Sequence, residues 1–436
     1  MAIIPLFFGN EWTKEFGYIV LLIYSLIGML TIAVFRDLKA FFMPSSVLFL
    51  YLSWSMTIGA WGHSMSAVLS DKQYGNYMRL SHVDASLAIF MLTLATLIPL
   101  SLFLNSRINS SGRSIRFPTY PLYVFIFILL PFLFFKIDLS VLGGKGTIGN
   151  IITSLMSISA VIIVANMRLA QRYLLYILII ALNASLYAFS KRYAIFLIFP
   201  ILYLESSNVR FKFDLPFVIK SIVSFIVVAG LIIVMSIYRG YGGFEPGTFI
   251  NSFRFVGQYL SSDLFLPFFL NNIEANYTFF HAVNAIEMIF LDPEKITFGS
   301  TFASFIFLPL PREVFPWKPD GIITLYTTAY DPYLRAKGGS APINVVAELI
   351  WNFWLFAPIV GVVLVWILAK LELILTIVRE KRHSLSMVFY LFAYMSILSF
   401  ARGGGTNILL FELLVAALFM LLARILSILL FSSRSP

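Results

Sequence analysis

Uncharged apolar runs of membrane-spanning length decide what this chain can fold into. A helix that crosses the hydrocarbon core of a bilayer needs about 20 apolar residues at a rise of 1.5 Å each. About eleven stretches meet or approach that length: residues 18–35, 41–61, 85–105, 117–135, 148–167, 173–190, 193–204, 221–238, 349–369, 385–401 and 403–423. All but the last, which contains Glu412, hold no Asp, Glu, Lys or Arg. Only 12% of the 436 residues are charged and 60% are hydrophobic, whereas an average soluble chain is about 25% charged. The expected fold is all-α, a polytopic membrane protein of about 11 (10–12) transmembrane helices. The run beginning at Tyr18 follows Glu11, Lys14 and Glu15. It is too long for the apolar core of a cleaved signal peptide and reads as a retained span.

The basic residues orient the bundle. One set of short loops holds Arg107, Arg113 and Arg116, Arg168 and Arg172, and Arg379, Lys381 and Arg382. It carries about twice the Lys and Arg of the opposite set and is expected to be cytoplasmic. Residues 239–342 form one long loop on the other side. Its Phe- and Tyr-rich stretches predict amphipathic helices that lie on the membrane and roof the bundle. The expected organisation is membrane helices over 1–238, the large loop over 239–342, and further membrane helices over 343–436. Despite a net charge of +10, this composition excludes a nucleic-acid-binding domain. There is no cysteine, and His63, His82, His281 and His383 are scattered, so no metal centre or other cofactor is expected.

Ionisable groups at the edge of a span are costly and mark functional candidates. Lys191 and Arg192 interrupt an apolar stretch that otherwise runs from Tyr173 to Leu204. They either snorkel from a tight hairpin or sit below the headgroups facing a wet cavity. Arg239 follows Tyr238 and precedes Gly240, and Arg402 precedes Gly403, Gly404 and Gly405. Backbone N–H groups beside an arginine at a helix end form a natural phosphate site, provided that Arg192, Arg239 and Arg402 converge. Glu348 heads the run at 349–369. It either favours the positive end of the helix dipole or serves as a base. The loop also carries Arg312, Glu313, Trp317 and Lys318 among prolines. Aromatic and charged side chains together suit sugar rings, with their apolar faces and hydroxylated rims; an interfacial aromatic anchor is the alternative. His281 reads as an interfacial structural residue.

This layout resembles the Wzy-type O-antigen polymerases, the oligosaccharide repeat-unit polymerases of bacterial inner membranes. Phe307-Leu308-Pro309-Leu310-Pro311, running to Phe315-Pro316-Trp317-Lys318-Pro319, is similar to that family's apolar-Pro, Trp-Pro and basic-Pro loop segment. Gly338-Gly339-Ser340-Ala341-Pro342, with Glu348 and Trp351-Asn352-Phe353, resembles its Gly-rich turn, acidic residue and aromatic-Asn-Phe sequence. Ser190-Lys191-Arg192 and Phe400-Ala401-Arg402-Gly403 resemble its Arg-bearing outer turns. One departure is Trp354, which stands where a Gly is common.

The resemblance implies a helical bundle of the GT-C-like kind in the bacterial inner membrane, with its active site facing the periplasm. It implies donor and acceptor oligosaccharides carried on undecaprenyl diphosphate, surrounding membrane lipids, and a chain-length regulator protein as a further partner. Transfer would proceed without metal, by single displacement with inversion. Arg192, Lys191, Arg239, Arg402, Arg312 and Lys318, with Tyr238 and Trp317, would hold diphosphate and glycan. Glu348, then Glu313, would serve as base. The competing readings are an O-antigen ligase, for which His281 is the candidate histidine, and a flippase or transporter of lipid-linked glycan.

Overall fold

The computed structural model describes residues 23, 26, 27, 41–52, 55, 116–134, 147–186, 191–206, 215–238, 245–262, 265, 275–308, 310 and 315–431. No strand occurs among them. The longer helices are α1 (Tyr120–Phe134), α2 (Thr147–Ala165), α3 (Leu169–Leu186), α4 (Lys191–Ser206), α5 (Leu215–Tyr238), α6 (Ala275–Leu291), α7 (Ile322–Tyr330), α8 (Val345–Phe353), α9 (Ala357–Glu380), α10 (Ser384–Ser399) and α11 (Thr406–Phe431).

Apolar sequence favours helix here because a helix satisfies its own backbone hydrogen bonds where no water can. Among the described residues, Ile148–Ala165, Ala357–Glu380, Ser384–Gly404 and Thr406–Leu426 are long and apolar enough to cross a membrane. Shorter apolar helices cover Tyr120–Pro131, Gln171–Asn183 and Phe196–Ser206. The expected runs at 148–167, 385–401 and 403–423 therefore fall on single helices. The runs at 18–35 and 85–105 lie outside the described residues, apart from positions 23, 26 and 27.

The exposed faces of these helices are apolar. On α11, Leu414, Leu418, Leu421, Leu422 and Ile425 are exposed, and on α9 Ile359, Val363, Trp366 and Ile367 are. Recurrence every three or four residues makes each set one stripe along its helix. Such a stripe suits lipid tails and is unfavourable in water.

The run at 349–369 is not one helix, which corrects the sequence reading. α8 ends at Phe353, a tight turn spans Trp354–Phe356, and α9 begins at Ala357. Trp354 takes φ 51° and ψ −125°, a region that glycine occupies most easily. What holds the break is side-chain anchoring. Trp351 is buried and Phe353 and Trp354 pack against the same apolar core. Asn352 Oδ1 accepts from the hydroxyls of Thr297 (2.9 Å) and Thr301 (2.8 Å), while its Nδ2 donates to the Glu348 carbonyl (2.9 Å). α8 is thereby tied to the loop chain, leaving α9 to run on separately.

Two apolar cores result. One joins α6, α7 and α8 to residues 48–52; the other joins α1, α2, α4, α10 and parts of α9 and α11. The loop over 239–342 is thus core-forming from α6 onward, rather than only surface helix. Its earlier part does carry exposed apolar groups, Phe249, Ile250, Phe253 and Leu260.

Charges inside the bundle are partnered. Arg172 pairs with Glu205 at 3.0 Å, and the Tyr176 hydroxyl donates to Glu205 at 2.9 Å. Glu372 accepts from the Ser45 N–H at 2.6 Å. Arg379 lies over the Tyr203 ring at 5.7 Å. Arg172 and Arg379, counted as loop cations in the sequence, are buried.

Candidate functional site

A cavity of about 530 Å³ opens where α10 gives way to α11, within the size range of small-molecule sites. Lys318, Asp320, Arg335, Arg402 and Asn407 all line it. Three cations against one carboxylate make it a positive site.

Arg402 sits in a widened helical turn, Phe400–Gly404, that ends α10. The turn depends on Gly403, whose φ of 130° is closed to side-chain-bearing residues without strain. A Cβ there would come within 2.8 Å of the Ile343 nitrogen and of Pro342 Cβ. The Arg402-Gly403-Gly404 turn therefore lies directly on the segment that leads from Gly338 into α8.

Arg335 reaches the cavity from the short helix Pro332–Ala336. Asp331 caps that helix by accepting from the Leu334 N–H at 2.8 Å. The chain then reverses, with the Gly338 N–H donating to the Arg335 carbonyl and the Gly339 N–H to that of Leu334, both at 2.9 Å. The Ala341 N–H donates to Thr327 Oγ1 at 3.0 Å, which fastens the turn to α7. Lys318 donates to the carbonyls of Leu308 (3.1 Å) and Leu310 (3.0 Å) and so fixes the cavity rim as well as its charge.

Glu348 stands behind this wall at 1% exposure. Its two carboxylate oxygens accept from the Thr406 N–H at 3.0 and 3.1 Å. It thus caps the first turn of α11, where a carboxylate meets the positive end of the dipole. Burial pushes its pKa up to about 7, against the opposing pull of the Thr406 hydrogen bonds. Glu348 lies in the first turn of its own helix α8 and also meets the start of α11.

The other sequence candidates are spread differently. Trp317 is 65% exposed and packs edge-on against Phe307 and Phe315. Tyr238 ends α5 and packs edge-on against Phe249. Lys191 and Arg192 open α4, and their side chains lie outside the described residues, as do Arg239, Arg312 and Glu313 altogether. Of the candidates, the cavity joins Arg402 to Lys318.

Arg335, Asp320 and Asn407 were missed. The pair Asp331-Pro332, followed by Gly338-Gly339, marks a short capped helix and was the available signal for Arg335. His281 is away from the cavity lining. It is buried against Tyr326 (Nδ1 to hydroxyl, 2.7 Å) and Tyr330, and burial lowers its pKa to about 3. The Tyr326 hydroxyl also donates to Asn284 at 3.3 Å. Among the described residues no group of three or more His, Asp or Glu is placed to hold a metal ion. No known protein family, characterised protein or solved structure matches the chain.

Proposed function

We propose that the chain is a metal-independent membrane glycosyltransferase that polymerises oligosaccharide repeat units carried on undecaprenyl diphosphate, at the periplasmic face of a bacterial inner membrane. The observation that carries this reading is the joining of Arg402, Arg335 and Lys318 in one cavity at the end of a span. Breaking the glycosidic bond of such a donor leaves the bonding electron pair on a diphosphate oxygen. Cations held in place beforehand stabilise that charge as it develops. An acceptor hydroxyl attacks the anomeric carbon and gives its proton to a carboxylate. Asp320 lines the cavity and takes this role. Glu348, with both oxygens turned to Thr406, becomes a positioning residue.

The bundle of about eleven spans and the chain-length partner belong to this proposal. His281, the candidate histidine of the ligase reading, is buried and outside the cavity lining.

The test is glycan length in a deletion strain. A strain whose lipid core carries single repeat units, restored to a ladder by the wild-type gene but not by Arg402→Ala at equal protein level, supports polymerisation. Uncapped core with long lipid-linked chains would mean ligation instead. Repeat units trapped on the cytoplasmic face would mean a flippase.

A further inference from the structure

Between α5 and α6 the chain winds through three consecutive helical pieces, Phe249–Ser252, Phe253–Phe255 and Val256–Leu260. Thr248 starts them by accepting from the Asn251 N–H at 3.2 Å. At about 100° per residue, positions 249–260 divide into three faces. Ser252 and Tyr259, seven residues apart, are buried. Phe249, Ile250, Phe253 and Leu260 are exposed on the second face. Gly257 belongs to that face, and a Cβ there would meet nothing within 4 Å. Arg254 and Gln258 are exposed on the third. An apolar flank beside a charged one is the pattern of a helix lying in a membrane interface.

α5 indicates what lies against the apolar flank. Ile219, Ile222, Val223 and Ile226 are exposed along one of its sides, and Gly230 continues that side with open space around it. Nearer the end of α5, Val234 and Ile237 fall on the same side but are buried. The segment 249–260 packs against α5. Tyr238 meets Phe249 edge-on at 6.1 Å, and Phe249 meets Phe253 at 5.8 Å. The exposed apolar surface thus passes from α5 onto the segment through a row of rings. α5 has 24 residues, or about 36 Å of helix against a hydrocarbon core of about 30 Å. Its last turn therefore stands at headgroup level, and the segment beside it meets the same lipid layer.

We propose that residues 249–260 form an in-plane seat at the bilayer interface where α5 ends, occupied by membrane phospholipid. Phe249, Ile250, Phe253 and Leu260 enter the upper acyl chains, and Arg254 and Gln258 stay among the headgroups. The seat depends on α5 lying in a bilayer and is independent of the reaction proposed above.

The chain has no cysteine, so Ile250→Cys, Phe253→Cys and Gln258→Cys each carry a single nitroxide label. The full chain in nanodiscs of phosphatidylethanolamine and phosphatidylglycerol is measured by power-saturation electron paramagnetic resonance. Oxygen is the lipid-soluble relaxant and a nickel chelate the water-soluble one. Leu418→Cys, on the exposed stripe of α11, is the lipid reference, and Lys337→Cys, on the exposed loop, is the water reference. Labels at 250 and 253 are expected to favour oxygen over nickel, as at 418, at a depth of about 5–10 Å below the phosphates. The label at 258 is expected to be shallower, with more nickel access. Ile250 is 78% exposed, so its replacement leaves the packing intact, and an unchanged melting temperature shows that each labelled protein is folded. Nickel access at 250 and 253 equal to that at 337 puts the segment in water and overturns the seat. Poor access of both relaxants at 250 and 253 puts a protein surface over the flank and overturns it equally.

Discussion

Glu348 caps a helix that begins 58 residues further along the chain: both its carboxylate oxygens accept the one N–H of Thr406, at 3.0 and 3.1 Å. The bond joins α8, which belongs to the loop core, to α11, which carries the cavity wall. Glu348→Ala leaves a buried donor unmet and is expected to cost about 1–3 kcal/mol of stability. Glu348→Gln keeps one acceptor and is expected to retain more than half of the glycan ladder. Loss of function in the Gln variant at normal melting temperature would instead return Glu348 to the role of base.

The same pair gives a pH dependence with a definite sign. Burial raises the Glu348 pKa from 4.5 to about 7, so the folded state holds its proton where the unfolded state releases it. Its contribution is fully present below pH 4.5 and is lost as pH rises through 7. His281 works in the other direction, because its pKa falls from 6.5 to about 3. Its contribution is present above pH 6.5 and is lost as pH falls toward 3. The melting temperature of Glu348→Gln minus that of wild type is therefore expected to increase between pH 5 and 7.5. The corresponding difference for His281→Asn is expected to increase between pH 6.5 and 4. Thermal scans across this range check both slopes.

Arg335 offers the cleanest charge test. It is exposed and lines the cavity, whereas Lys318 also ties Leu308 and Leu310. Arg335→Ala and Arg402→Ala are each expected to lower polymerisation by a factor of about 10²–10³, the range seen when one preorganised donor to a developing anion is removed. Arg335→Ala is expected to leave the melting temperature within about 1 °C, since surface substitutions cost little. Lys318→Ala is expected to lower both activity and stability. Assays of reconstituted protein with paired melting curves separate the two effects.

Gly403→Ala adds a Cβ within 2.8 Å of backbone and ring atoms at a φ of 130°. It is expected to destabilise by about 2 kcal/mol or more and to abolish the ladder. Gly257→Ala meets nothing within 4 Å and is expected to be neutral or slightly stabilising, because it lies in a helical turn. Steady-state protein level and melting temperature compare the two.

The long spans were legible because lipid-facing helices advertise themselves by composition alone. α2, α10 and α11 fall close to the runs expected at 148–167, 385–401 and 403–423. Arg402 was legible as a cation closing an uncharged run, with glycines behind it. The break at Trp354 was not legible. Hydropathy is continuous through Trp351-Asn352-Phe353-Trp354, and the hydrogen bonds that hold the break come from Thr297 and Thr301, far away in sequence. α6 went unseen for a related reason. Thr278, His281, Asn284 and Glu287 recur every three residues and dilute its apolar signal, although all four are buried. Arg335 and Asp320 lack any span to frame them, so only the folded loop shows that they share a cavity.

That polar row on α6 bears on how the protein is made. Tyr326, which receives His281 and Asn284, is translated 45 and 42 residues after them. Trp351, which packs against Tyr326, comes later still. A newly synthesised α6 emerges from the ribosome before these contacts exist, and water must hydrate its histidine and glutamate until they do. The polar row of α6 therefore gains its partners only once Tyr326 and Trp351 have been made, which makes closure of this core a late step in the folding of the chain.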